Sequence, residues 1–139
     1  MVVSPLTPVT LMYVSVLGLL YMFLLRLVVK LRHEHRVAHG DGGNHQLRRG
    51  IQAHSNFAQY VPMLLLFLLL GEINHLPSWM LHVYGCLIIM TRLSHIYGLV
   101  RGENQQPPSY KGRFYGTLGT WILYVSASLS ALLWVVWAT

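Results

Sequence analysis

IQAHSNFAQYVPMLLLFLLLG, Ile51 to Gly71, decides the fold, because it is an unbroken run without Asp, Glu, Lys or Arg. A bilayer's hydrocarbon thickness asks for ~20 such residues in a helix. The leucine block Met63 to Leu70 has none of the apolar and polar alternation that a strand facing a lumen shows, so it reads as a helix. Three further runs share this character: Met1 to Leu25, Ile73 to Thr91 and Phe114 to Thr139. With 54% hydrophobic and only 10% charged residues in a chain of 139, a soluble core of this size could not hide so much apolar surface. The sequence therefore predicts an all-α membrane protein, one domain over residues 1–139, with helices at about 5–32, 46–74, 77–100 and 113–137.

The formal net charge of +6 is concentrated. Arg26, Lys30, Arg32, Arg36, Arg48 and Arg49 flank the first connection, and Arg101, Lys111 and Arg113 flank the third. The second connection carries Glu72 and no base. The positive-inside rule puts connections one and three in the cytoplasm and both termini on the far side. Basic residues at membrane boundaries are explained by anionic headgroups, so nucleic-acid binding is not expected. No Lys or Arg precedes the first run and no small-residue cleavage site follows it, which predicts a retained first helix rather than a signal peptide. Cys86, the single cysteine, lies within an apolar run and reads as a small buried apolar residue.

Connection one, roughly His33 to Leu47, contains HGDGGN at His39 to Asn44, a turn composition that calls for positive φ at Gly42 or Gly43. Pro62 removes a backbone hydrogen bond inside helix two and predicts a kink unless neighbouring groups take over the freed carbonyl. Pro77 opens helix three at its first turn. Pro107 and Pro108 make connection three an exposed loop. There is no internal repeat of the kind that duplicated transporters carry.

The half of helix two nearest the basic end is polar. Arg49, Gln52, Asn56 and Gln59 are spaced by three, four and three, which puts them on one stripe with Tyr60 beside it. Amides facing lipid would be unsatisfied, so the stripe argues for an internal, partly hydrated site rather than isolated interhelical hydrogen bonds. Helix three ends with Thr91, Arg92, Ser94, His95 and Tyr97, helix four begins at Arg113, followed by Tyr115 and Thr117, and helix one ends with Arg32 and Arg36. A single boundary arginine snorkels to headgroups. Cations and hydrogen-bonding groups converging from four helices describe a pocket for a small anion. His33, His35, His39 and His45 match no metal-binding spacing, and no metal is expected.

RVAHGDGGNHQLRRGIQAHSNFAQYVP (Arg36 to Pro62), together with TRLSHIYG (Thr91 to Gly98), resembles the bacterial branch of the MAPEG superfamily, membrane-associated proteins in eicosanoid and glutathione metabolism. The resemblance runs the whole chain. It implies a homotrimer with glutathione as co-substrate, bound between subunits near the cytoplasmic face, and a hydrophobic small molecule reaching it from the lipid. Carried over by position, Asn56 and Tyr60 match glutathione-binding positions, Arg32 the helix-one arginine, and Arg92 and His95 the helix-three polar pair. Arg113 matches the helix-four arginine that supports the thiolate, which makes it the implied catalytic residue. Arg101 is the other arginine at that boundary.

Two positions depart from the family pattern: Gln52 stands where Arg is usual, and Gln59 where Glu is usual. An ion pair replaced by two amides leaves the local charge sum unchanged, and residues seven apart share a face, so the amides are expected to bond each other. Both glutathione anchors are then weaker, since charge-assisted hydrogen bonds are about twice as strong as neutral ones. Arg48 or Arg49, one turn below, is placed to supply the lost cation. The expected activity is that of a membrane-bound glutathione transferase or peroxidase acting on apolar electrophiles or lipid hydroperoxides, in an integral, multi-pass protein of the bacterial inner membrane. The rival expectation is a non-enzymatic lipid- or partner-binding protein of the same fold with a degraded glutathione site. A channel or transporter comes last, resting on the polar stripe alone.

The charge pattern makes a topological prediction. A reporter active only outside the cytoplasm, fused after Thr139, is expected to be active. Activity of a reporter that works only inside the cytoplasm would reverse the orientation.

Overall fold

A computed structural model describes residues 6–138 and contains four long helices, α1 Pro8–His35, α2 His45–Ile73, α3 Ser78–Val100 and α4 Lys111–Ala138, with one turn of 3-10 helix at Gly102–Asn104. Each of the four is long and apolar enough to cross a membrane. The protein is an all-α four-helix membrane bundle. The ends of the four helices lie no more than three residues from the expected bounds. The expected start of the first helix, at residue 5, lies outside the described residues.

The helix ends show why the boundaries fall where they do. α1 opens with Pro8 at its first turn, and no side chain of its own caps it. The carboxylate of Glu72, at the end of α2, accepts the Val9 N–H at 2.8 Å and the Thr10 N–H at 2.7 Å, two of the amides that a helix start leaves without partners. α2 is capped locally, the Asn44 side chain accepting the Leu47 N–H at 2.9 Å. Gly42 and Gly43 both have positive φ, as the turn composition requires, and so does Gly40. The connection is shorter than expected because α1 continues to His35 and α2 starts at His45. Arg48, in the first turn of α2, donates to Asp41 of the connection. The Arg48 guanidinium, aided by the Gly43 N–H, holds the Asp41 carboxyl below the usual carboxylate range.

α2 is helical through Pro62, so the residue does not break the element. Pro77 sits one residue outside α3, as its N-cap, rather than in the first turn.

α3 packs most extensively on α4, α1 on α2, and α2 on α3, while α2 and α4 touch little. The central core is built from Leu17, Leu24, Phe57, Leu64, Ile88 and Leu123. A smaller cluster at the Glu72 end joins Val9, Tyr13, Leu68 and Leu81, and another at the basic end joins Val28, Leu31 and Leu47. Much of the outer apolar surface remains uncovered, including Leu132, Leu133 and Trp134 on α4.

In lipid, helices associate through close packing and hydrogen bonds rather than through exclusion of water, so small residues mark the tight contacts. Gly98 on α3 and Gly112 and Gly116 on α4 mark one. A side chain at Gly98 would run into the Arg113 backbone, and a Cβ at Gly116 would lie 2.6 Å from the His95 nitrogen. The Ser94 hydroxyl donates to the Gly112 carbonyl at 3.0 Å across the same seam. Gly112 and Gly116 are four apart, a spacing of small residues that lets two membrane helices approach closely.

This contact gives the second prediction. Gly116→Ala is expected to destabilise the bundle by about 1 to 3 kcal/mol through overpacking against backbone that cannot yield, measured as a lowered melting temperature in detergent. Gly18→Ala, where a Cβ meets nothing within 4 Å, serves as the control that should not.

Candidate functional site

The α3–α4 seam sets two rows of polar side chains against each other. On α3, Arg92 and His95 are both buried, His95 with its backbone against Gly116. On α4, Arg113, Thr117, Thr120 and Trp121 recur at helical spacing on one face. α2 supplies the third wall with Asn56 and Tyr60. Together these residues line a cleft of about 150 Å³.

Arg92 is at its centre, only 2% exposed. Its Nη2 donates to the Gly116 carbonyl at 3.2 Å and to the Thr120 hydroxyl. Its guanidinium lies 5.5 Å from the centroid of the Tyr60 ring, within range of a cation–π attraction. Its Nε is buried without a hydrogen-bond partner, and among the described residues no carboxylate pairs with it. Taking a cation out of water is costly unless it is paired and fully bonded. A buried guanidinium with an open donor is chemically suited to an anion.

Tyr60 is fixed from α4. The Tyr124 hydroxyl donates to the Tyr60 carbonyl at 2.7 Å, and the two rings meet edge to face at 6.2 Å. This ties α4 to α2 at the inner side of the cleft. Arg113, 47% exposed, marks the open side of the cleft, its mouth; there its Nη1 donates to Glu103 Oε1 at 3.2 Å and the other oxygen of Glu103 lies 3.6 Å from Arg49 Nε.

Of the residues singled out in the sequence, the structure brings Asn56, Tyr60, Arg92, His95 and Arg113 into one cleft, and Arg49 reaches its mouth through Glu103. Arg32 is elsewhere within the single chain. Its Nη1 donates to the Ala38 and Gly40 carbonyls at 3.1 and 3.0 Å, fastening the first connection. Gln52 and Gln59 are both exposed on the outer face of α2. The expected bond between their amides is not made: Gln59 turns back to the Ser55 hydroxyl one turn away, at 3.4 Å. Residues seven apart are two turns distant along the axis, ~10 Å, beyond the reach of two amide side chains that also point outward. Thr120, Trp121 and Glu103 were missed. The two on α4 were legible as the i+7 and i+8 continuation of Arg113; Glu103 was not, because a residue in an irregular connection has no periodicity to read.

Residues 10–133 match the MAPEG family. The inner membrane protein YecN of Escherichia coli K12 is 33% identical over 110 residues, 79% of this chain and 79% of that protein, and its counterpart in Escherichia coli O6:H1 matches equally well. The chain belongs to the MAPEG family.

Proposed function

We propose that this chain is a glutathione-dependent transferase or peroxidase of the bacterial inner membrane, acting on apolar electrophiles or lipid hydroperoxides. The observation that carries it is Arg92: a buried guanidinium with an unpartnered Nε, stacked over Tyr60 in a cleft that also holds Asn56, His95 and Arg113. Glutathione as its thiolate has two carboxylates, a thiolate and one ammonium, a net charge of −2 that suits such a site.

The chemical task is to hold a thiol as thiolate near neutral pH, when an ordinary cysteine thiol has pKa ~8.5. Arg113 supplies a fixed guanidinium near the developing charge on sulfur. Arg92, Asn56 and Tyr60 hold the rest of the tripeptide, and the thiolate attacks an electrophile that arrives from the bilayer. With a hydroperoxide, sulfur takes the terminal oxygen, the O–O bond breaks, the alkoxide leaves as the alcohol after protonation, and a second glutathione converts the sulfenic acid to disulfide and water.

Two observations favour a homotrimer with the site between subunits. The cleft, at about 150 Å³, is about half the ~300 Å³ at which small-molecule sites begin, so another surface is needed to complete it. Gln52 and Gln59 are exposed on a membrane helix, where amides require partners, and a neighbouring subunit would supply them and bring its own Arg32 near the cleft. Both termini lie outside the cytoplasm in this reading, with the cleft near the cytoplasmic face. The rival reading, a non-enzymatic binding protein, is favoured by those same two glutamines. Titrating the detergent-purified protein with glutathione separates the two, because no saturable binding would leave only the second.

Arg92→Met is expected to leave the ligand-free protein as stable or up to ~2 kcal/mol more stable, since exchanging a buried ion for an apolar side chain is often neutral or favourable. Thr120 would still donate to the Gly116 carbonyl at 2.8 Å, so no partner is orphaned. Glutathione binding should be lost in the same variant. Unchanged affinity would remove Arg92 from the site.

Arg113→Ala is expected to lower turnover with chlorodinitrobenzene much more than it lowers glutathione affinity, because stabilisation of charge on sulfur acts on the chemical step. An equal loss in both would make Arg113 a binding residue only.

A further inference from the structure

The two walls of the cleft contributed by α2 and α4 scarcely touch. They are joined at the inner end by Tyr124 and Tyr60 and at the mouth by a carboxylate. Glu103 sits on the single 3-10 turn that leaves α3, and its connection is folded back on itself by the Ser109 N–H donating to the Gly102 carbonyl at 2.9 Å. Its side chain is only 12% exposed, with one oxygen toward Arg49 of α2 and the other toward Arg113 of α4. Arg113, by contrast, is 47% exposed, so it remains open to a competing anion.

We propose that Glu103 is a clasp that competes with the ligand: its carboxylate holds Arg49 and Arg113 together across the mouth of the cleft, and an anionic ligand enters by displacing it and taking over the same guanidiniums. This rests on the anion-binding reading of the cleft and adds the element that controls entry. Two guanidiniums, Arg49 and Arg113, share this one carboxylate, and Arg92 lies buried in the cleft with no carboxylate among its described partners, so the closed mouth still presents an excess of positive charge to draw an anion in. The third connection then opens as the ligand seats, because the group that fastened it to both helices has lost its partners. Glu103 is a positioning residue here, acting through Arg49 and Arg113.

The alternative role for a carboxylate at this place is to anchor the ammonium of the ligand, and the two roles differ in sign. Removing a competitor tightens binding, whereas removing an anchor weakens it. The test uses Glu103→Gln, which keeps shape and removes charge, with Glu103→Asp as a second variant that shortens the reach of the carboxylate. Amide exchange over residues 101–110 is measured in the detergent-purified protein without ligand, and glutathione titrations follow on the same samples. Exchange roughly three- to tenfold faster in Glu103→Gln is expected, with Glu103→Asp between it and the parent, together with glutathione binding tighter by a similar factor. Unchanged exchange would overturn the clasp, and weaker glutathione binding in Glu103→Gln would overturn the competition in favour of an anchor. If glutathione binds none of the three proteins, the proposed function fails on that result, while the exchange rates still decide whether Glu103 fastens the connection.

Discussion

The site depends on how closely α3 and α4 approach. With glycine at 98, 112 and 116, backbone meets backbone where any side chain would hold the helices apart. The approach puts the Gly116 carbonyl and the Thr120 hydroxyl within reach of Arg92 and sets Arg113 beside His95 at the cleft wall. A bundle with alanine or leucine in these places could contain the same polar residues and still leave them too far apart to act on one ligand. The glycines have no chemistry of their own, yet they determine which chemistry is possible.

A second constraint follows from the absence of water at membrane depth, where each polar group needs a partner within the protein. Most find one nearby. Glu72 takes the first amides of α1, Asn44 caps α2 and Ser94 bonds across the α3–α4 seam. Among the described residues four side chains keep a buried polar atom unpartnered, Thr10, His54, Tyr84 and Arg92, and of these Arg92 carries a guanidinium whose Nη2 is bonded and whose Nε is not. Burial without full satisfaction costs a guanidinium more than it costs a hydroxyl. The same reasoning gives Gln52 and Gln59 a different meaning from the one their spacing first suggested. Each points outward from α2, so what they require is another surface rather than each other.

The departures from the family pattern and the third connection form one problem of charge. Gln59 leaves helix two without the family's carboxylate, while Glu103 brings a carboxylate to the mouth from the third connection, between two arginines. In the proposed scheme the negative charge at the mouth therefore belongs to a short connection that can move, and access to the cleft becomes a property of that connection.

The sequence by itself determined the four spans, their type and the concentration of charge at one end, because these depend on length and composition read along the chain. It also determined that Asn56 and Tyr60 share a region of α2 and that Arg92 and His95 share a face of α3, since one helical turn fixes the relation between residues three or four apart. Only the tertiary structure decided which of those faces meet. The sequence could not show that Arg92 lies over Tyr60, that Arg32 secures its own connection instead of entering the cleft, or that Glu103 spans α2 and α4. Each of these joins residues far apart in the chain through packing, and helical periodicity carries no information across a connection: it fixes angle about one axis and leaves open the axis on the other side.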